Sequence, residues 1–588
     1  VTLLVQKFGG TSLGSIERIK AVAQKIKSSK EKGNDLVVVV SAMGHTTDEL
    51  TKLASEITLD PPHREMDMLL STGEQISISL LTMALNELGI LAISLTGTQA
   101  GIITESAHGR ARILEIRTER IKKLLSQGKT IVIAGFQGTS LGIGGIAEIT
   151  TLGRGGSDTS AVALAASLEA EKCEIYTDVP GVLTTDPRIV KNAQLMKNIS
   201  CDEMLELASL GAAVLHPRAV EIARNFGVSL VVKSSWDDLD GTTLTSKKNN
   251  VFSQGGIEHR SPVDGLELVE NQAVVALSNI PDRPGIAAEL FESLSEGGVN
   301  VDLIIQATHQ INSNDITFTV AENELNNAQA QCKKLMNTIG GEISYQKSLT
   351  KLSIYGAGIM GRPGIASSLF QTLSDSGINI RLIATSEVKV SCVIDSELGK
   401  KALRSVGEVF KLSDKQITLN PIIENKNEPE VRGIALDKDQ IQISVKNVPD
   451  MPGTASTICS TLAEKSISLD TIVQSERKHK DKTKDISFTL KKNDRSEAKY
   501  ILEELLTNWE GSSLEEGESI VRISAVGSGM PFTKGTAGKI FRALANQKIN
   551  IEMIATSEIR TTCIISEKYG EKALNEIHSC FKLGKNEN

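Results

Sequence analysis

No apolar run in this chain approaches the ~18 residues that a membrane-spanning helix needs. The longest, such as Leu36–Val40 and Ala161–Leu168, are far shorter, so no membrane partner is expected. Positive charge is not in excess either. Lys and Arg number 64 against 72 Asp and Glu, a formal net charge of −8. A nucleic-acid binder would show a basic patch; the short cluster Arg477-Lys478-His479-Lys480 reads as a solvated loop. The seven cysteines (Cys173, Cys201, Cys332, Cys392, Cys459, Cys563 and Cys580) form no CxxC pair, and the eight histidines form no HExxH. Neither a disulfide framework nor a zinc site is expected, and scattered thiols suit a reducing, cytoplasmic compartment. The chain opens on a strand-like run that enters a Gly-rich turn, not on a secretory leader.

Several catalytic fingerprints are also missing. Gly128-Lys129-Thr130 looks like the end of a P-loop, but the earlier glycine that motif requires falls on Lys123. There is no HRD-type loop and no DFG, which excludes a protein kinase. GxSxG occurs twice, at Gly10–Gly14 and Gly138–Gly142, but a hydrolase elbow follows several strands, not the first. No dinucleotide fingerprint is present, so a fused dehydrogenase is not expected.

A length of 588 residues predicts several domains. Over residues 1–246, β-rich runs alternate with amphipathic helical stretches. Thr2–Lys7, Leu36–Ser41, Leu91–Leu95, Ile131–Phe136, Glu174–Thr177 and Ser229–Val232 read as strands; Ser15–Lys30 and Gln75–Leu88 read as helices. The fold class expected is α/β: a mainly parallel sheet sandwiched by helices, with ligands held beyond the C-terminal strand ends. Residues 247–264 are polar and read as a linker. Beyond them the chain repeats itself. Val263–Gly285 aligns without a gap to Val431–Gly453, and Ile383–Glu387 recurs at Ile554–Glu558. Four small α+β modules follow, over 265–345, 346–420, 431–515 and 516–588, with a linker at 421–430. Pro284-Gly285, Pro363-Gly364, Pro452-Gly453 and Lys534-Gly535 mark their turns.

Three loops of the first domain carry chemistry. Lys7-Phe8-Gly9-Gly10-Thr11-Ser12 joins the first strand to the first helix; two glycines admit a close ligand, the helix N-terminus favours an anion, and Lys7 adds a point charge. Gly153-Arg154-Gly155-Gly156-Ser157-Asp158 opens a second helix, with Arg154 able to clamp a carboxylate or phosphate and Asp158 able to orient Lys7. Tyr176-Thr177-Asp178-Val179-Pro180-Gly181 is a strand end leading into a turn-rich loop.

Together these residues resemble the amino-acid kinase family, specifically the aspartate kinases. VQKFGGTS at Val5–Ser12, VVSAMGHTTDEL at Val39–Leu50, STGEQ at Ser71–Gln75, GFQG at Gly135–Gly138, TTLGRGGSDTSA at Thr150–Ala161 and YTDVPGVLTTDPR at Tyr176–Arg188 stand in that family's order. The C-terminal half is similar to its regulatory ACT domains (βαββαβ-type), here four, as in cyanobacterial members. The resemblance implies ATP with Mg²⁺ as phosphoryl donor and L-aspartate as acceptor, the first step toward lysine, threonine and methionine. It gives Lys7 the transferring phosphoryl group, Glu74 the substrate ammonium and Arg154 a substrate carboxylate. Ser41, Thr46, Thr47, Gly155, Gly156 and Ser157 would contact the substrate. Gly9, Gly10, Thr177, Asp178, Leu183 and Arg188 would lie along the nucleotide. Leu183 and Ala213 depart from the family, which often has Tyr and Lys there. A sister kinase acting on another carboxylate or carbamate, and a catalytically silent amino-acid sensor, remain alternatives.

For the regulatory half the resemblance implies lysine and threonine as inhibitors bound between modules, and a homodimer formed through the ACT modules. Asp282, Gly285, Ile286, Ala287, Asn300, Val301, Asp302 and Gln306 would form one half-site, closed by Asn379 and Ile380. Asp450, Gly453, Thr454, Ala455, Ser468, Leu469, Asp470 and Gln474 would form another, closed by Asn550 and Ile551.

Overall fold

The structure, a computed structural model, describes residues 2–141, 147–210, 214–246, 256–258, 261–310, 313–357, 359, 362, 364–421, 427–474, 483–517 and 519–584. Ala213, Pro363 and the basic cluster at 477–480 lie outside them. The chain forms two compact units: Val1–Leu183 with Leu195–Ala208 and Ala213–Arg260, and Thr184–Gln194 with Ser209–Ala212 and Ser261–Asn588.

The first unit is built on an eight-stranded sheet. Six of its strands run parallel in the order Leu230–Ser234, Lys172–Thr177, Leu3–Phe8, Asp35–Val40, Thr130–Ala134, Ala92–Leu95. These are the six strands expected from the sequence. The run Leu36–Val40 is inaccessible throughout, as a strand covered on both faces must be, and its valines suit the pleat. Ser15 caps the helix Ile16–Glu31, accepting the Arg18 N–H at 3.3 Å, and Ile19, Val22, Ala23 and Ile26 turn one stripe to the sheet. The helix His63–Glu87 is long and apolar enough, by composition, to cross a membrane. Here its Ile78, Leu81 and Leu85 pack into the core beside Phe8, Val38 and Val40. A second, four-stranded sheet (Ile113–Ile116, Ile102–Thr104, Gln137–Leu141, Ala147–Thr151) was not foreseen; strands of three to five residues are too short to show a period. The linker expectation fails at 256–258. Ile257 and Glu258 donate their N–H groups to Leu114 and Ile113, and the Glu258 carboxylate takes the Arg218 guanidinium at 2.8 Å.

The second unit contains four modules, but their boundaries differ from the expected ones. Gly265–Val269 pairs with Lys351–Tyr355 in module 2; after an irregularity at Glu270-Asn271 the same strand continues into module 1, where Gln272–Leu277 pairs with Ala321–Ile316. Module 1 is therefore inserted into module 2. Likewise Gly433–Asp437 pairs with Val526–Arg522 of module 4, so module 3 sits inside module 4. A small antiparallel sheet needs every inner strand paired on both edges, and the borrowed strand supplies that pairing.

The modules associate first with fourth and second with third. Ile305–Ala307 pairs antiparallel with Ala555–Met553, making one continuous sheet of modules 1 and 4. Phe291 meets Phe541 edge-on at 5.5 Å between their helices. In modules 2 and 3, Ile472 N–H donates to Thr385 Oγ at 3.1 Å. Ion pairs repeat across this arrangement. Lys389 meets Glu558 at 2.6 Å, and its counterpart Arg560 meets Glu387 at 3.8 Å. Lys351 pairs with Asp302, and Arg522 lies 3.0 Å from Asp437 and 3.7 Å from Asp470. Segment Thr184–Gln194, expected in the first domain, is built into this unit. Thr184 accepts the Ile434 N–H at 2.8 Å and bonds His578 Nε2 through its hydroxyl at 3.0 Å, while Val190 joins the core of modules 1 and 4.

Candidate functional site

The C-terminal ends of the central parallel strands converge on one edge of the first sheet. Lys7, one residue from the end of its strand, puts Nζ 2.6 Å from Asp158 Oδ1. Asp158 lies in the first turn of the helix Gly156–Ser167, so the first and second Gly-rich loops meet through this pair. Gly9 and Gly10 follow Lys7. A Cβ on Gly10 would come within 2.8 Å of the Ala42 carbonyl, so only glycine lets this loop lie against the loop after the second strand. Ser41 opens that second loop and donates its N–H to Phe8 at 3.2 Å; Thr46 and Thr47 begin the helix Thr46–Ile57, with the Thr46 hydroxyl donating to Met43 at 2.7 Å.

Glu74 reaches the same loop from the long helix. It is 3% exposed, and Oε1 accepts the Ala42 N–H at 3.0 Å. Oε2 is buried without a hydrogen-bond partner among the described residues. Burial pushes its pKa up to about 7, partly offset by the Ala42 N–H. A carboxylate oxygen in this state calls for a donor from a ligand.

Gly155 caps the helix Gly156–Ser167 with φ of 67°, and its missing Cβ makes room for the His216 ring, whose Cγ would lie 2.2 Å away. Ser157 is buried and Arg154 is exposed. Thr177 ends the strand beneath and Asp178 follows it, with the Thr177 hydroxyl donating to Asp178 at 3.1 Å, and Tyr176 stacks on Phe8 at 4.7 Å. Leu183 bridges to Leu195. Arg188 belongs to the segment built into the second unit, where its guanidinium forks onto Asp186 at 2.7–3.1 Å.

Sequence reasoning missed the supports of this site. Asp67, fully buried on the same helix as Glu74, accepts from His108 at 2.7 Å, Gly109 N–H at 3.1 Å and the Thr151 hydroxyl at 2.5 Å. Arg218 donates to the Leu152 and Ala111 carbonyls and to Glu258. Both hold the strand that leads into Gly153-Arg154. Neither carries a motif, because its partners are distant in sequence.

In the second unit two clefts lie between paired modules. The first is lined by Gly285, Ile286, Ala287, Gln306, Asn314, Asn550 and Ile551 among others; Asp282 is not on its lining but lies directly behind it, its Oδ1 accepting from Asn550 Nδ2 at 2.8 Å. The second is lined by Asp450, Gly453, Thr454, Ala455, Gln474, Asn379 and Ile380, and Asn379 Nδ2 donates to Asp450 at 2.9 Å. The closing residues are thus exchanged relative to expectation: Asn550 and Ile551 close the first site, Asn379 and Ile380 the second. The 1–4 and 2–3 pairing dictates this. Asn300, Val301, Asp302, Ser468, Leu469 and Asp470 line neither cleft. A register shift between Val301 and Ile304 accompanies the use of Asp302 by Lys351, and Asp470 binds Gln440 at 2.6 Å.

The amino acid kinase family matches residues 2–234, and ACT domains match 275–335, 352–410, 441–508 and 523–581. An aspartokinase of Bacillus sp. (strain MGA3) is 49% identical over 414 residues, 70% of this chain and 98% of that protein. The Geobacillus stearothermophilus aspartokinase is 48% identical over 413 residues, with the same coverage. The chain belongs to the aspartokinases. A crystal structure of aspartate kinase from Synechocystis is 50% identical, has a TM-score of 0.87 and covers 99% of this chain and 98% of its own.

Membership of the aspartokinases bears out the expected enzyme class and fold class. The Bacillus and Geobacillus aspartokinases span 70% of the chain, whereas the Synechocystis enzyme spans nearly all of it, four ACT domains included.

Proposed function

We propose that this aspartokinase transfers the γ-phosphoryl group of ATP to the side-chain carboxylate of L-aspartate, forming 4-phospho-L-aspartate and ADP. The observation that carries this reading is Glu74, a buried carboxylate with one oxygen on the Ala42 N–H and the other without a partner. It suits a substrate ammonium, which a carbamate substrate lacks. Exposed Arg154 takes the α-carboxylate by a bidentate contact, and Ser41, Thr46, Thr47, Gly155, Gly156 and Ser157 complete the acceptor side. The aspartate carboxylate attacks in line, so no protein nucleophile is needed; positioning and charge neutralisation supply the catalysis. Lys7, oriented by Asp158, neutralises the transferring group. Gly9, Gly10, Thr177, Asp178 and Leu183 are assigned to the nucleotide; Arg188, held by Asp186 within the second unit, is not.

No group of three or more His, Cys, Asp or Glu able to hold a metal stands among the described residues. Mg²⁺ would come with the nucleotide, whose phosphates supply most of its ligands, and Asp158 at the phosphate loops would assist in holding it. When bound, Mg²⁺ screens the phosphate charge.

The same reading places the enzyme at the head of a route to lysine, threonine and methionine, in a reducing, ATP-containing cytoplasm, and gives it lysine and threonine as inhibitors bound between ACT modules. A ligand that binds the inhibited arrangement better shifts the population toward it. The assembly it carries is a homodimer through ACT modules, which light scattering checks. The deciding experiment is ATP- and aspartate-dependent acyl phosphate formation, trapped as the hydroxamate, with and without lysine and threonine. Turnover that E74Q abolishes supports the reading; turnover with other carboxylic acids but not aspartate overturns it.

A further inference from the structure

The two module clefts are built on one plan; their linings differ at Arg283/Met451, Ile286/Thr454, Ala288/Ser456 and Asn314/Lys484, and the last of these changes what bonds the aspartate. Asp282 and Asp450, Gly285 and Gly453, and Gln306 and Gln474 correspond at a constant spacing of 168 residues. On the hairpin strand that follows, Asn314 stands opposite Ile280 and Lys484 stands opposite Val448. Ile280 and Val448 are themselves 168 residues apart, so Asn314 and Lys484 occupy the same place. Their spacing in the chain is 170, which hides the correspondence from a gap-free alignment.

In the first cleft Asp282 Oδ1 accepts from two amides, Asn314 Nδ2 at 2.6 Å and Asn550 Nδ2 at 2.8 Å. Neither amide carries charge; the cation that lines this cleft is the exposed Arg283, where the second cleft has Met451. The Ile551 carbonyl beside the Asp282 carboxylate accepts from Gln306 at 2.8 Å. In the second cleft Lys484 Nζ lies 3.0 Å from Asp450 Oδ1 and donates to the Ile380 carbonyl at 3.1 Å. That carbonyl already accepts from Gln474 at 2.9 Å. Lys484 is only 4% exposed. Its primary ammonium thus sits on the carboxylate and the carbonyl that an amino acid's ammonium would use. A second cation brought there would meet like charge in a poorly hydrated cleft, at a heavy cost.

We propose that Lys484 acts as a built-in occupant of the ammonium position, closing the second cleft to free α-amino acids and leaving the first as the amino-acid site. The proposal rests on the assignment of these clefts to effectors and deepens it: the two arrays are not redundant copies, and one residue decides which of them binds.

The test is isothermal titration of the full chain with L-threonine and, separately, L-lysine, for the parent, K484N and N314K. Each substitution installs the residue that the other cleft already carries, and far-UV circular dichroism checks that both variants fold. For the amino acid that binds, K484N raises the stoichiometry by one per chain and N314K lowers it by one. Unchanged stoichiometry in K484N, or loss of a site there, overturns the role of Lys484 while leaving the effector assignment standing. Absence of binding by both amino acids in all three proteins overturns the effector assignment and this inference with it.

Discussion

At the residue scale, Glu74 controls the pH behaviour of the proposed site. Burial raises its pKa to about 7, so in the free enzyme the carboxyl group is neutral below that pH and charged above it. Only the charged form attracts an ammonium. We expect kcat/KM for aspartate to fall as pH drops through about 7, while kcat at saturating aspartate changes less; E74Q should lose the low-pH limb together with most activity. The raised pKa also favours the protonated folded state, so this group's contribution to stability is present below the ordinary glutamate pKa and is lost as pH rises through about 7. Lys7 makes a second prediction. It is nearly buried and tied to Asp158 at 2.6 Å. K7M should lower kcat by ~10²–10³-fold, the size of a lost charge-stabilising contact, with a smaller change in aspartate KM. Steady-state hydroxamate kinetics separates the two effects. Lys7, Glu74, Arg154 and Asp158 were legible in the sequence because each stands in a short motif. Asp67, Arg218 and His216 were not, since their partners lie tens of residues away.

At the element scale, the two Gly-rich turns shape the proposed site. Gly155 holds a left-handed φ of 67° and lies over the His216 ring. G155A should cost about 1–2 kcal/mol for the backbone conformation alone, and the clash adds to it. A lowered Tm and a raised aspartate KM are the expected outcome, measured by calorimetry and the hydroxamate assay. The parallel strands were predictable because Val-rich buried runs between amphipathic helices have few other solutions. The second sheet was not, for its strands are short and mixed in polarity. The borrowed strands Gly265–Val269 and Gly433–Asp437 were invisible as such: each precedes one module in the chain but completes another in space.

At the scale of the whole regulatory unit, the reciprocal ion pairs tie the modules together. Burial alone would raise the pKa of Glu558, but Lys389 and Lys351 hold it down at about 2. A depressed carboxylate contributes stability above its unfolded pKa, and that contribution is lost as pH falls toward about 2. K389M leaves Glu267 and Glu558 facing each other without their shared cation. It should destabilise the regulatory unit by ~3 kcal/mol at neutral pH, and the gap from the parent should narrow between pH 7 and pH 3. Differential scanning calorimetry at both pH values checks the sign.

The sequence by itself determined the catalytic motifs and their order, the six parallel strands, and the existence of four related modules. Each of these rests on local chemistry: a Gly-rich turn, a β-branched run, a repeated segment. The tertiary structure decided which module meets which, where each module begins, and what faces Asp282 and Asp450. Those outcomes depend on contacts between residues hundreds of positions apart. The edge pairing of Ile305–Ala307 with Ala555–Met553, and a cation at Lys484 where Asn314 stands in the other cleft, exist only once the chain has folded.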